Sequence, residues 1–256
     1  MKTSIKVIAL FIFSNFILAQ GTAGTDAKFE YRTLIDLPSA GILEKGYAGV
    51  SIDVLPLGVV ISKIEVGVFD NFSFGISYGG ENIIGSGKVI GYKLPGVNAR
   101  LRIFDETEGS PAISVGFDSQ GKGNYIDNLK RYEIKSPGFY VAIAKNFEFL
   151  GYLSLHGIVN YSLEREDGDK DINLGVGFEK TVGKKVSVVG EWDFANNDNT
   201  GNSLGSGSGY LNLGVRWSVG EGFTVGLDLR NLFDNKKFNE NKADRALFVE
   251  YVKAIF

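Results

Sequence analysis

His156 is the only histidine in the chain, and Ser154, Asn160 and Ser162 lie near it in sequence. Those residue types are the parts of a nucleophile, base and orienter relay, in which the base must sit within hydrogen-bond reach of the hydroxyl. Ser154 and His156 share one face of an extended strand, as do many pairs with no chemistry, so the plainer reading is a polar histidine on an inner face. A second candidate is the acidic run Glu164, Glu166, Asp167, Asp169 and Asp171, whose oxygens suit a hard divalent cation. Its Asp-Gly-Asp-Lys-Asp core has part of a calcium-loop rhythm but lacks the later bidentate Glu and flanking helices. A solvated surface loop is therefore expected, with no metal and no cofactor. Gly79-Gly80 and Gly205 to Gly209 lack the strand-to-helix setting of a phosphate loop and read as loops. The third constellation is a set of charges at alternate strand positions: Arg100, Arg102, Asp118, Glu179, Glu191, Arg216, Asp228 and Arg230. Its arginines would form a track for anionic sugars, unless the acids on the same face pair with them and fill the interior.

The strands that position these groups are clearest at Tyr210 to Leu229. Leu211, Leu213, Val215, Trp217 and Val219 share one face, and Tyr210, Asn212, Gly214, Arg216 and Ser218 the other. After Gly220-Glu221-Gly222 the alternation resumes with Phe223, Val225, Leu227 and Leu229. Period-two alternation across a tight Gly turn is an antiparallel hairpin, with arms long enough to cross a bilayer when tilted.

The 256 residues are 44% hydrophobic with 34 Gly and no Cys. Many short alternating segments and no long helical period point to one all-β unit. Without Cys there are no disulfides, no thiolate metal sites and no lipoprotein cysteine. A formal charge of -3 and no basic cluster argue against nucleic acid as a partner. Lys2 and Lys6, the apolar run Val7 to Leu18 and the small residues around Ala19 have the form of a secretory signal peptide (1–19). The run is too short for a spanning helix, which needs about 20 residues.

Similar alternation recurs near 46–55, 59–69, 72–78, 98–104, 111–118, 138–147, 151–163, 172–180, 186–194 and 246–256, giving about twelve strands. Residues 20–45, broken by Pro38 and Gly41, read as a periplasmic lead-in, a plug or a clasp at the mouth of a barrel spanning 46–256. The links after the even-numbered strands are short and most others long. That is the pattern of an outer-membrane barrel, with short periplasmic turns and longer external loops. A soluble up-and-down barrel would turn the apolar face inward and bury Asp53, Glu65, Asp193 and the eight charges above dry, at large desolvation cost. The expected fold is thus an all-β, single antiparallel transmembrane β-barrel of about twelve strands in the bacterial outer membrane.

Three resemblances bear on function. A Ser-His-Asn trio on a twelve-strand barrel is similar to the outer-membrane phospholipases, but there Ser follows His by two residues and Asn lies on the next strand; here Ser154 precedes His156 and Asn160 shares its strand. Phe248, Val252, Ala254 and Phe256 lie on one face of the last segment, which resembles the C-terminal assembly signal read by the barrel-assembly machinery; Glu250 on that face departs from it. Finally, the stretches Arg32 to Gly46, Ser77 to Gly85, Gly116 to Gly121, Lys135 to Tyr140 and His156 to Leu163 resemble the YjbH-like outer-membrane barrel proteins, a family linked with exopolysaccharide production. That resemblance implies a non-enzymatic barrel that supports export or passage of surface polysaccharide or small polar solutes. Its implied partners are outer-membrane lipid and polysaccharide or polysaccharide-export proteins. The alternatives are a structural or docking barrel with a plugged lumen, and a lipid-acting enzyme using His156.

Overall fold

The computed structural model describes residues 21–237 and 243–255. The expected signal peptide and the terminal Phe256 lie outside the described residues. The strands are β1 (Tyr47–Val54), β2 (Val60–Phe69), β3 (Phe72–Glu81), β4 (Ile90–Gly91), β5 (Gly96–Phe104), β6 (Ala112–Asp118), β7 (Lys122–Ile126), β8 (Arg131–Ile134), β9 (Gly138–Glu148), β10 (Tyr152–Tyr161), β11 (Asn173–Thr181), β12 (Val186–Asp193), β13 (Tyr210–Gly220), β14 (Phe223–Arg230) and β15 (Asp244–Ala254). Setting aside β4, β7 and β8, the remaining strands pair antiparallel in chain order, and β15 returns to β1. The sheet is therefore a closed barrel of twelve strands, which leaves no unpaired edge for lipid to meet. The short β4 pairs antiparallel with the last residues of β3, and β7–β8 form a separate two-stranded ribbon.

Alternation sets the two faces. Outward positions such as Phe74, Ile76, Val141, Ile143, Val215 and Leu227 are exposed aliphatic and aromatic side chains, while their neighbours along each strand are small, polar or charged and turned inward. Exposed aromatics also collect at the two rims: Phe69, Phe104, Phe147 and Tyr152 at the end with the short turns, and Tyr78, Phe139, Trp192 and Phe233 at the end with the long loops. Aliphatic residues between two aromatic girdles are the lipid-facing signature of an outer-membrane barrel. The short turns are tight because their chemistry is right. Between β13 and β14, Glu221 and Gly222 have φ 52 and 82, the left-handed pair that a two-residue hairpin turn with the strands' own twist requires. A Cβ on Gly222 would also lie 1.9 Å from the Val252 carbonyl oxygen.

The long polar stretch between β6 and β9 is more ordered than its composition suggests. It forms the β7–β8 ribbon, folded inward over the barrel, with Arg131, Tyr132 and Ile134 buried. Within it Tyr125 packs edge to face on Tyr132, and Tyr92 from the loop after β4 packs on Tyr132 as well, with ring centroids 5.1 and 5.0 Å apart.

The lipid-facing assignment predicts that Val215→Arg, in the outer row of β13, destabilises the refolded barrel by about 2–4 kcal/mol if it lies near the bilayer midplane. Urea unfolding from lipid vesicles measures this.

Candidate functional site: the lumen and its inner hairpin

Residues 21–46 lie inside the barrel. The segment starts at the short-turn end, where the amides of Thr22, Ala23 and Gly24 donate to the hydroxyls of Thr224 (3.0 Å), Ser218 (2.8 Å) and Ser187 (2.9 Å). It rises along the lumen and reverses at Leu34–Leu37, closed by the Leu34 amide on the Leu37 carbonyl (2.9 Å) and a bridge between Thr33 and Pro38. It then descends and leaves beside β2, with the Gly46 amide on the Gly67 carbonyl (3.2 Å). The tip is apolar, and wall glycines make room for it: a Cβ on Gly175 would lie 2.5 Å from Leu37 Cδ1, and one on Gly177 2.4 Å from Leu34 Cδ1. Around it, Leu37 and Ala40 pack with Ala112, Tyr140, Ala142 and Ile158.

The charged wall residues hold this hairpin. Arg100 donates to the carbonyls of Arg32 (2.7 Å) and Gly41 (3.0 Å) and lies 3.4 Å from Glu65. Arg102 donates to the Ala40 carbonyl (3.0 Å) and pairs with Glu30. Arg216 donates to the Leu34 carbonyl (2.9 Å) and to Asp228 (2.5 Å), with its guanidinium 4.8 Å from the Phe248 ring centroid. Arg230 pairs with Asp36 at the tip (2.7 Å). Glu191 receives the amides of Ile35 (3.0 Å), Asp36 (2.8 Å) and Leu37 (3.0 Å) and the Asn212 side-chain amide (2.8 Å). Asp118 pairs with Lys63 (2.6 Å), and Glu179 accepts from Ser187 (2.6 Å). A buried carboxylate is tolerable when N–H donors surround it, and a buried guanidinium when oxygens do.

Several of these partners carried no site signal in the sequence. Glu250, which breaks the apolar row of the last strand, pairs inside the lumen with Arg32 of the hairpin. Phe248 and Val252 share that lumenal face, and the outward row of β15 is Leu247, Val249 and Tyr251. His156 faces inward between Ala144 and Gly177, and neither ring nitrogen has a hydrogen-bond partner among the described residues. The Ser154 hydroxyl donates to Asn146, and Asn160 bonds the Pro137 carbonyl (2.9 Å) and Asn173 (3.1 Å). No Ser–His–Asn relay is assembled.

The acidic loop is solvated only in part: Glu166 and Asp171 are exposed, as expected, but two of its acids turn inward. Asp167 and Asp169 are each only 1% exposed. Asp167 meets Arg131 (2.6 Å) and Lys135 (2.8 Å), while Asp198 takes Arg131 (2.5 Å) and the Tyr210 hydroxyl (2.7 Å). These bonds tie the long loops and the β7–β8 ribbon into a cap. Burial works to raise Asp169, but the amides of Asn199, Thr200 and Asp171 outweigh it and hold its carboxyl below the ordinary range. Glu164 accepts the amides of Tyr132 (3.0 Å) and Ser136 (3.2 Å), yet burial dominates and pushes it up to about 6. No cluster of metal-ligating side chains occurs among the described residues. Beside and above the hairpin, two lumenal spaces measure about 60 and 20 Å³. A larger cavity of about 320 Å³, lined in part by Lys28, Arg102, Tyr152, His156 and Glu179, lies at the short-turn mouth.

Among solved structures, the closed twelve-strand wall has counterparts. The barrel is similar to the KdgM porins. One is described as a KdgM porin (TM-score 0.51) and another as a KdgM porin in complex with disordered oligogalacturonate (TM-score 0.50). In both, 80% of this chain aligns with 98% of the other at 11% identity, a likeness of fold. No protein-family model and no curated protein matches the chain, so the YjbH-like resemblance rests on the short motifs quoted above.

Two outcomes follow from the geometry. Glu191→Ala orphans three tip amides, so hydrogen exchange at Ile35, Asp36 and Leu37 should accelerate while β12 and β13 stay protected. The carboxyl of Glu164 binds its proton more tightly in the folded cap than at its ordinary value of 4.5. The contribution of Glu164 to the cap is thus fully present below that value and is lost as pH rises toward about 6. Exchange at Tyr132 and Ser136, corrected for intrinsic rate, should show this loss, and Glu164→Gln should abolish it.

Proposed function

We propose that the chain is a porin-like barrel of the outer membrane that passes small polar and anionic solutes, acidic oligosaccharides among them, when the hairpin of residues 21–46 leaves the lumen. One observation carries the reading. Arg100, Arg102, Arg216 and Arg230 all contact oxygens of the hairpin, either carbonyls or the carboxylates of Glu30 and Asp36. Those are the acceptors an acidic oligosaccharide would offer to the same guanidinium groups. With the hairpin in place the arginines are covered, and with it gone they would line a wet passage.

The structural neighbour described with oligogalacturonate supports this solute class, and the YjbH-like resemblance supports an acidic surface polysaccharide as one member of it. A second reading is a permanently plugged barrel that serves as a structural or docking element. The hydrogen bonds spread along the whole hairpin favour it.

Single-channel recording in a planar bilayer separates the two. The parent protein is expected to be nearly silent, and a variant lacking residues 21–45 to open in stable steps that acidic oligosaccharides block. Arg100→Gln and Arg216→Gln in that variant should weaken the block. A heat-resistant folded band for the deletion, combined with no conductance, overturns passage in favour of the plugged reading.

A further inference from the structure

The outer wall carries a groove that the lumen does not explain. Across β5, β6, β9 and β10 a hollow of about 530 Å³ has an almost wholly apolar lining. Its floor is low because Ala99 stands between the larger Phe74 and Phe117 of the neighbouring strands. Phe117 and Phe139 wall its upper part, with ring centroids 4.9 Å apart. At the long-loop rim the groove reaches Tyr161 and Ile172. Both residues also border a second hollow, of about 680 Å³, whose other walls are Lys170, Asp171, Asn196 and Asn199. The apolar trough and the polar basin are thus continuous, one at membrane depth and the other just above the aromatic girdle.

The charge of the basin is set by what is left free. In the loop between β10 and β11 the acids are largely engaged: Glu164 by backbone amides, Asp167 by Arg131 and Lys135, Asp169 by Asn199 and Thr200, and Glu166 by Lys130 (3.7 Å). Arg165 and Lys170 have no ion pair among the described residues. Arg165 donates to the Tyr161 hydroxyl (2.6 Å) and stacks on that ring with its guanidinium 5.5 Å from the centroid. Lys170 therefore lines the basin and Arg165, held by Tyr161, lies at its edge, neither charge paired with an acid, beside two side-chain amides and the Asp171 carboxylate.

We infer that this groove binds one phosphorylated glycolipid of the leaflet on the long-loop side. An acyl chain would lie in the trough, Arg165 and Lys170 would meet a phosphate, and Asn196, Asn199 and Asp171 would meet sugar hydroxyls. The trough demands an alkyl chain because it is apolar and faces lipid. The two cations favour a phosphate, and the amides and Asp171 carboxylate distinguish a sugar headgroup from a simple one. The inference is independent of passage through the lumen, since every group involved lies on the outer wall or in the two loops that follow β10 and β12.

The test uses the full-length barrel, delipidated in detergent and titrated with lipid A or with phosphatidylglycerol, with bound lipid counted by native mass spectrometry. Lipid A is expected to be retained at one per barrel and to resist competition by phosphatidylglycerol. Arg165→Glu with Lys170→Glu should lower lipid A retention by at least about fivefold per charge, and Ala99→Phe, which fills the trough, should lower it without touching the cations. Because the two loop substitutions are exposed and outside the barrel strands, they keep the test decisive if Ala99→Phe fails to fold. Equal competition by phosphatidylglycerol, or unchanged lipid A retention in the folded charge-reversal variant, overturns the proposal.

Discussion

A guanidinium group shut away from water must be surrounded by oxygen, and the inside of this barrel is organised by that requirement. Arg100 and Arg216 are among the most completely buried large side chains of the protein. A strand wall alone has few oxygens to offer, because its carbonyls are already committed to the sheet. The missing acceptors come from the inner hairpin, whose carbonyls at Arg32, Leu34, Ala40 and Gly41 receive the arginines. The dependence is mutual. The hairpin has little ladder of its own, and its tip amides end on Glu191. Removing one partner of such a buried pair costs roughly 3–5 kcal/mol, so wall and hairpin each make the other tolerable.

The same requirement explains where large and small residues fall on the inner face. Gly214 and Gly226 flank Arg216, which would collide with a Cβ at Gly226 at 2.5 Å. Gly175 and Gly177 leave the space into which the hairpin tip packs. Glycine in a strand interior ordinarily weakens it; here the loss is offset by what occupies the vacated volume. Above the tip, Arg131 plays for the cap the part that Arg216 plays for the hairpin, buried among Asp167 and Asp198 and donating to the Tyr132 and Glu133 carbonyls (each 2.9 Å).

Much of the wall was legible in the sequence. Lipid on one side and polar groups on the other impose a strict period of two, so the faces of β13 and β14 could be assigned residue by residue, and with them the count of strands. The interior was much less legible. The lumenal charges stand out as ionisable residues at alternate positions, but many of their partners are backbone atoms, which any residue supplies and no side-chain pattern announces. Glu250 shows the difficulty in one position: it reads as a blemish in an apolar row until Arg32 is seen beside it. The β7–β8 ribbon was hidden for a related reason. Its residues are polar because they bond other loops, as Arg131 does Asp167, and polarity in a connecting stretch reads as solvent exposure.

The hairpin comes in and goes out at the same mouth, beside Thr224 at one end and Gly67 at the other, and it continues directly into β1. No free end has to be threaded through the closed sheet, so it can dock after the wall has formed and withdraw without opening a seam. Covalent attachment also keeps it close by once withdrawn. A short tether holds a displaced segment at an effective concentration in the millimolar range or above. In the proposed passage, a solute competing for the arginines would face a rival that never diffuses away, and a dilute ligand would lose to it. Clearing the interior calls for a ligand with many simultaneous contacts, or for traction on the chain at the short-turn side.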